Sequence, residues 1–156
     1  MGTMEQFDGR HSTRATEIER GVGRYLRHLN FAYVPELTLP DKRRADMVAL
    51  GPKGQIWIIE IKSSVEDFRA DHKWQDYQNH CDCLFFATLN DVPADIFPAE
   101  AGLLVADNFG AACLREAPED KLSAPMRKKL TLMIARFAAN RFHNLQDPTF
   151  AAKSVM

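Results

Sequence analysis

A chain of 156 residues is long enough for one domain with its own core, and a composition of 46% hydrophobic and 26% charged residues excludes wholesale disorder. Residues 1–11 lack the order of a secretory signal and no apolar run approaches the roughly 20 residues of a membrane span, so we expect a soluble, cytoplasmic protein. The net charge of −1 excludes a strongly basic protein that coats nucleic acid, so any DNA contact must be local.

The cysteines predict thiols rather than disulfides. They number three, so they cannot form a complete set of pairs, and a reducing cytosol would keep them reduced. Cys81 and Cys83 follow His80, an arrangement that suggests a zinc site. A structural zinc site uses four such ligands, with spacings such as C-x2-C, and this group falls short of that pattern. We therefore expect reduced, partly buried thiols.

Helical spacing marks the first element, which starts at about Ser12. Its apolar side chains recur at Ile18, Val22, Tyr25, Leu26 and Leu29. Arg20 and Arg24 lie opposite this stripe, Glu19 lies on its flank, and Glu17 points further out. We therefore expect Glu19 to face a site beside the core.

Three strands are predicted after this helix. Short apolar-rich segments at 32–39 and 45–50 are separated by the turn and charged residues 40–44. The segment Gly51-Pro52-Lys53-Gly54 is a strong turn signal. Residues 55–62 form a nearly unbroken apolar, β-branched run, which is typical of a strand covered on both faces. This strand is expected at the centre of the sheet.

The second half of the chain predicts two helices and three strands. One helix starts near 63–67 and runs to about His80, with Ala70, Trp74 and Tyr77 facing inward. The other predicted elements are a buried strand at 83–89, shorter strands at 102–106 and 111–115, and a last helix at 123–143.

The order of these elements predicts a single α/β domain. Helix, three strands, helix and strand, followed by a strand pair and a helix, is typical of a mixed β-sheet with helices on both faces. The chain shows no repeat, low-complexity tract or linker. We therefore expect one domain over 12–145, with loose termini at 1–11 and 146–156.

Charged residues inside apolar strands are the strongest chemical signal. Glu60 and Lys62 end the most hydrophobic strand, two residues apart and so on one face, where a charge is costly without a partner. Asp46 lies among apolar residues in the preceding strand, which the turn folds back beside Glu60. A five-residue turn at 51–55 sets the two acids opposite each other, whereas a four-residue turn puts them on opposite faces. Both registers remain open at this point.

A shared face would make one site of the two carboxylates and the lysine. Their repulsion must be relieved by a proton, a cation or both. Mg²⁺, or Mn²⁺ in its place, prefers oxygen ligands and often joins carboxylates to a phosphate, and Lys62 would there position water or stabilise phosphoryl oxygens. This arrangement suits phosphodiester hydrolysis. The alternative is a structural ion-pair network made by the same three residues.

Asp46 followed by Glu60-Ile61-Lys62 resembles the D…(D/E)-x-K signature of the restriction-endonuclease-like nuclease superfamily. The core order of that superfamily, helix, three strands, helix and strand (αβββαβ), is similar to the order predicted above. The resemblance implies that Asp46, Glu60 and the carbonyl of Ile61 bind a divalent metal, and that Lys62 serves the attacking water.

The same resemblance implies further site residues on two helices. Many members add an acid from the first helix, for which Glu19 is the better match and Glu17 the fallback. Members also place a Gln, Lys or Arg on the second helix, often four residues before a Tyr, and Lys73 with Tyr77 has that spacing.

A narrower resemblance covers most of the chain, from about residue 14 to 142. Several segments together resemble the MmcB-type DNA-repair proteins: Arg43-Arg44-Ala45-Asp46, Glu60-Ile61-Lys62-Ser63-Ser64, Asp67-Phe68-Arg69-Ala70-Asp71, Lys73-Trp74 and Cys81-Asp82. Members of that family are linked to the DNA-damage response, so the resemblance implies a role in DNA repair and leaves the reaction open.

These observations favour a metal-dependent nuclease that acts on damaged or branched DNA. The rival is a non-catalytic DNA-binding or scaffold protein that retains the fold, and a third hypothesis is hydrolysis of RNA or nucleotides at the same site. Local DNA contacts are expected from Arg20, Arg24, Arg43 and Arg44. A homodimer is a further expectation, since dimers are common where both strands are cut.

Overall fold

The computed structural model describes residues 2–154, with side chains described for residues 13–151. Six strands form one sheet in the order β1-β2-β3-β4-β5-β6. They are β1 (Ala32–Thr38), β2 (Arg44–Leu50), β3 (Ile56–Ile61), β4 (Cys83–Thr88), β5 (Gly102–Ala106) and β6 (Ala111–Arg115). Pairing is antiparallel from β1 to β3, parallel from β3 to β5, and antiparallel between β5 and β6. The sheet is therefore mixed, as the sequence predicts.

Helices cover both faces of this sheet. They are α1 (Gly2–His28), α2 (Val65–Ala70), α3 (Ala124–Gln146) and α4 (Pro148–Ser154), with short 3-10 helices at Trp74–His80 and Ala94–Ile96. On one face, α1 buries Val22 in the same cluster as Ile59, and on the other α3 buries Leu130 in the same cluster as Ile58. Because successive side chains of a strand point to opposite faces, β3 contributes to both clusters. Its predicted burial on both sides is confirmed.

The predicted continuous helix up to His80 is wrong. Its first part, α2, is capped by Ser64, whose hydroxyl accepts from the Asp67 amide at 3.0 Å, and it ends at Ala70. Asp71 then adopts an extended backbone and a 3-10 helix starts at Trp74. Ala70 is exposed rather than inward-facing, because the chain leaves the helix there.

Both ends of the chain contain helix beyond the predicted limits. The first helix begins at Gly2 rather than near Ser12, and the last predicted helix is capped by Ser123 and extends to Gln146. The short helix α4 after it has no counterpart in the sequence analysis. The domain limits 12–145 and the loose termini stay predictions. In residues 2–154, no helix combines the length and apolar character that crossing a membrane requires.

Candidate active site

The register of the β2–β3 hairpin decides whether the two acids meet. Leu50 pairs with Ile56 and Met47 with Ile59, so residues 51–55 form a five-residue turn. The Gly51 amide donates to the Gln55 carbonyl at 2.8 Å and closes that turn. Continuing the register by one residue sets Asp46 directly opposite Glu60. Of the two registers that the sequence leaves open, the structure has the one that brings the acids together.

Each carboxylate is held by the backbone of the other strand. The Asp46 amide donates to Glu60 Oε2 at 2.8 Å, and the Ile61 amide donates to Asp46 Oδ2 at 2.8 Å. These bonds lie just past Met47, where the regular pairing of β2 with β3 ends. At the point where the strands separate, carboxylates therefore accept hydrogen bonds from backbone amides of the opposite strand. These bonds fix both acids at one location.

Burial disfavours the ionised forms of the two acids. Glu60 is only 3% exposed. Burial raises the pKa of Glu60, and the negative charge of Asp46 raises it further. Burial also raises the pKa of Asp46, against the lowering effects of the Ile61 amide and the Lys62 ammonium. The pair is therefore stabilised by a proton or by a cation close to it.

Lys62 lies beside the acids, but its direct partner is another carboxylate. Its ammonium donates to Asp71 Oδ2 at 2.8 Å, with side-chain exposures of 8% and 17%. Its backbone is fixed to β4, because its amide donates to the Ala87 carbonyl at 2.9 Å and its carbonyl accepts from the Thr88 hydroxyl at 2.6 Å. Asp71 therefore orients the buried lysine and gives it a hydrogen-bonded partner of opposite charge.

A cleft of about 390 Å³ joins these groups. Among the described residues that line it, the acids are Glu19, Glu36, Asp46, Glu60, Asp67 and Asp71, and the bases are Arg44 and Lys62. Six acids against two bases leave an excess of negative charge. A phosphate group would be repelled from this cleft unless a cation were bound there as well.

The first helix supplies the cleft wall at Glu19. Its Oε2 accepts from the Tyr33 hydroxyl at 3.2 Å, and burial raises the pKa of that tyrosine to about 12, so Tyr33 stays protonated. Glu17, the fallback residue, lines a different cavity beside Arg14 and Asp91. The geometry therefore favours Glu19 for the helical acid.

Of the two supporting residues predicted on the second helix, Tyr77 lies in the cleft and Lys73 lies outside it. Tyr77 is buried, lines the cleft, and donates from its hydroxyl to the Arg44 carbonyl at 3.3 Å. Burial and the neighbouring Glu60 raise the pKa of Tyr77, so it remains a hydrogen-bond donor. Lys73 is exposed and precedes the 3-10 helix, outside the cleft lining. The break after Ala70 removes the helical spacing that connected them.

The four arginines predicted to contact DNA differ in their surroundings. Arg44 is exposed at the cleft, and Arg20 and Arg24 are exposed on α1. Arg43 instead bonds to Asp76 Oδ2 at 3.1 Å, and its guanidinium lies 5.6 Å from the centre of the Tyr77 ring. Arg43 therefore holds the 3-10 helix in place beside the cleft.

Three cleft acids were missed by the sequence analysis: Glu36, Asp67 and Asp71. Glu36 has a left-handed backbone with φ of 55° inside β1, unusual for a residue with a side chain. The β1–β2 register sets it opposite Asp46, on the side away from Glu60, and its charge raises the pKa of Asp46. An acid between the apolar residues Val34 and Leu37 was a usable signal.

The cysteines remain free in the structure. Cys81 and Cys83 are buried, Cys113 is exposed, and burial raises the pKa of Cys83 to about 11. The expected partly buried thiols are thus present at two of the three positions. Across the described residues, no three or more His, Cys, Asp or Glu side chains are already grouped as a metal site.

A family model described as DNA repair protein MmcB-like matches residues 3–149. The chain belongs to the MmcB-like family. Among solved structures, it is similar to the SPO1766 protein of unknown function from Silicibacter pomeroyi, with 46% sequence identity and a TM-score of 0.84 over 87% of this chain and 93% of that chain. A search of curated proteins found no match.

Membership of the MmcB-like family confirms the narrower of the two resemblances and indicates a role in DNA repair. The cleft of this MmcB-like protein is built from α1, β1, β2, β3, α2 and the segment after α2, all within the matched residues. The restriction-endonuclease-like superfamily, the homodimer and the cytoplasmic location stay predictions.

Proposed function

We propose that this MmcB-like protein is a metal-dependent deoxyribonuclease of DNA repair. The observation that carries the proposal is the direct opposition of Asp46 and Glu60 on neighbouring strands, with Lys62 in the same cleft. A perturbed pair of buried acids in a cleft is more typical of a functional site than of a packing solution.

The fold supports this function by analogy. The first four strands follow a helix, and α2 separates β3 from a parallel β4. This order agrees with the helix, three strands, helix and strand of restriction-endonuclease-like nucleases, and we propose that the core is of that type. Fold similarity alone does not assign an activity, so the residues of the cleft must support it.

The donor set of the cleft fits Mg²⁺ or Mn²⁺. Asp46 and Glu60 offer carboxylate oxygens, the ligand type that these cations prefer, and Glu19 lies in the same wall. A cation there would neutralise the buried charge that raises both pKa values, and the resemblance adds the Ile61 carbonyl as a ligand. When bound, the cation would supply Lewis-acid polarisation of a phosphodiester oxygen and lower the pKa of a nearby water.

The remaining cleft residues act on the substrate and on the water. The Lys62 ammonium has three donors, of which one is engaged by Asp71, so it can also hydrogen-bond an attacking water or a phosphoryl oxygen. Arg44 lines the cleft and would bind a flanking phosphate. Tyr77 lines the same cleft and fixes the β2 backbone there, because its hydroxyl donates to the Arg44 carbonyl at 3.3 Å.

The test is cleavage of labelled duplex, single-stranded, flap and four-way DNA, with Mg²⁺, Mn²⁺ or EDTA. We expect cleavage to require the cation and to fall by at least about 100-fold in Lys62→Ala, the lower range for loss of one transition-state donor. Lys53→Ala, an exposed lysine on the β2–β3 turn, is the matched control and should cut like wild type.

A second readout separates cation binding from catalysis. Mn²⁺ should raise the melting temperature of wild type and of Lys62→Ala, but not of Asp46→Asn, which loses a ligand charge. Tight DNA binding without cleavage, unchanged by Lys62→Ala, would favour the non-catalytic DNA-binding protein. A preference for RNA in the same panel would replace the deoxyribonuclease with a ribonuclease.

A further inference from the structure

A second concave surface, of about 810 Å³, lies next to the cleft along the C-terminal half of α1. Arg20, Arg24, Arg27 and His28 line it, and all four are exposed. Among its described lining residues, Glu19 is the one acid. This basic groove therefore has the opposite charge to the cleft beside it.

The three arginines form a row. Residues 20, 24 and 27 are spaced by four and three positions, so they project from one face of the helix. The row spans about 10 Å at 1.5 Å per residue. A row of three cations of this length can contact consecutive phosphates of one nucleic-acid strand.

An aromatic side chain stands at the edge of this row. Phe109 is 75% exposed and lies in the turn between β5 and β6. The turn is rigid, because Asp107 Oδ1 accepts from the amides of Phe109 at 2.7 Å and Gly110 at 3.0 Å. It packs directly on α1 at Gly21, where a Cβ would collide with the Asp107 carbonyl oxygen. The fold thus presents an exposed ring beside the arginines.

The basic groove and the cleft are continuous. Thr16 and Glu19 line both, and Tyr33, which bonds to Glu19, forms part of the groove wall. Gly23 lets the Tyr33 ring approach α1, since a Cβ there would lie 2.9 Å from the ring. A strand bound along the arginines would therefore pass the helical acid before it reaches Asp46 and Glu60.

We propose that the basic groove binds single-stranded DNA, with phosphates on Arg20, Arg24 and Arg27 and a base stacked on Phe109, and directs the strand into the cleft. The destination of the strand rests on the proposed function, whereas binding in the groove does not. Single strands are favoured over duplex because an unpaired base exposes its face to an aromatic ring, and a base stacked inside a duplex does not.

The test measures binding to a labelled single strand and to a blunt duplex of equal length, in EDTA so that no cleavage occurs. We expect tighter binding to the single strand. Replacing all three arginines by alanine should reduce the slope of log affinity against log salt by about 2, at roughly 0.7 for each phosphate that an arginine no longer neutralises. Phe109→Ala should weaken single-strand binding about tenfold, and Phe109→Trp should restore it.

Matched variants on α3 control for general effects. The control for the arginine variant is the triple alanine variant of Lys128, Lys129 and Arg136, which are exposed cations. The control for Phe109→Ala is Phe142→Ala, which removes another exposed ring. Neither should change binding to the single strand. Equal loss of affinity in these controls, an unchanged salt slope in the arginine variant, or duplex binding as tight as single-strand binding would each overturn the proposal.

The two proposals fail separately. Binding with the expected salt slope, but no cleavage under any cation, overturns the nuclease and supports the groove. Cation-dependent cleavage, together with single-strand binding that the arginine and Phe109 variants leave unchanged, overturns the groove and supports the nuclease.

Discussion

At the scale of single residues, Glu60 is an acid whose charge the fold opposes. Its folded pKa is raised above the value of about 4.3 for an unfolded glutamate, so the folded chain binds the proton more tightly. Its contribution to stability is fully present below about pH 4 and is lost as the pH rises towards the raised pKa. At neutral pH the folded chain therefore bears the free-energy cost of taking up a proton that the unfolded chain releases.

Glu60→Gln should therefore be more stable than wild type at neutral pH in EDTA. The glutamine keeps an oxygen to accept from the Asp46 amide and is neutral without taking up a proton. We expect a gain above about 1 kcal/mol, since one pH unit of pKa displacement corresponds to about 1.4 kcal/mol. Urea unfolding of both proteins measures the difference in the free energy of unfolding. The difference should vanish near pH 4. Glu66→Gln, an exposed acid on α2, should show no such change.

Glu36 is a second residue held at a cost. The left-handed backbone at Glu36 destabilises a residue that has a side chain by about 1–2 kcal/mol. Glycine relieves this strain, but its greater freedom in the unfolded chain destabilises the fold by about 0.5–1 kcal/mol. Glu36→Gly should raise the free energy of unfolding by up to about 1 kcal/mol and weaken Mn²⁺ binding, because an acid of the cleft is lost. Glu36→Gln should weaken Mn²⁺ binding without the gain in stability. A clear loss of stability in Glu36→Gly would contradict the claim that the backbone at this position is strained.

At the scale of elements, Asp82 joins β3, β4 and α3. Its Oδ2 accepts from the Ile56 amide at 2.8 Å, its Oδ1 from the Leu122 amide at 2.9 Å, and both oxygens bind the Arg127 guanidinium at 2.7 Å. Burial raises its pKa, but Arg127 and the two amides outweigh this and lower the pKa to about 2. The stability that Asp82 contributes is present above about pH 4 and is lost as the pH falls towards 2.

Asp82→Asn should destabilise the fold by about 2–3 kcal/mol, below the usual cost of breaking a buried pair because Arg127 is partly exposed. Guanidinium unfolding at neutral pH measures this change. Asp120→Asn, an exposed acid that precedes the same helix, should have little effect. Metal-dependent cleavage by folded Asp82→Asn should match wild type, because Asp82 lies outside the cleft lining. Loss of cleavage without loss of stability would contradict this role.

The elements also show why the sequence predicts some features and misses others. Strand β3 was predictable because its apolar run depends on local sequence. The end of α2 could not be predicted, because Trp74 and Tyr77 continue the helical spacing past Ala70. In the structure the helix ends before Asp71, whose carboxylate bonds to Lys62. That contact joins two segments by tertiary packing, which no local pattern reports.

At the scale of the whole molecule, opposite charges are sorted into neighbouring surfaces. A net charge of −1 conceals an acidic cleft beside a basic groove, and total composition reports neither. The residue pattern did predict the acids Asp46 and Glu60 and the exposed arginines of α1. Their juxtaposition depends on the five-residue turn and on how α1 crosses the sheet, which are properties of the folded chain.

The hydrogen bonds that the two acids accept from the opposite strand have an evolutionary consequence. Asp46 and Glu60 close the end of the β2–β3 ladder, but an amide at either position would keep an accepting oxygen without a group that can ionise. Retention of the acids rather than amides in a relative, such as the Silicibacter pomeroyi protein, would then reflect a need for the charge and not for the architecture alone. The side chains of Arg20, Arg24 and Phe109 are exposed, so the basic groove is where a change of role would be recorded first.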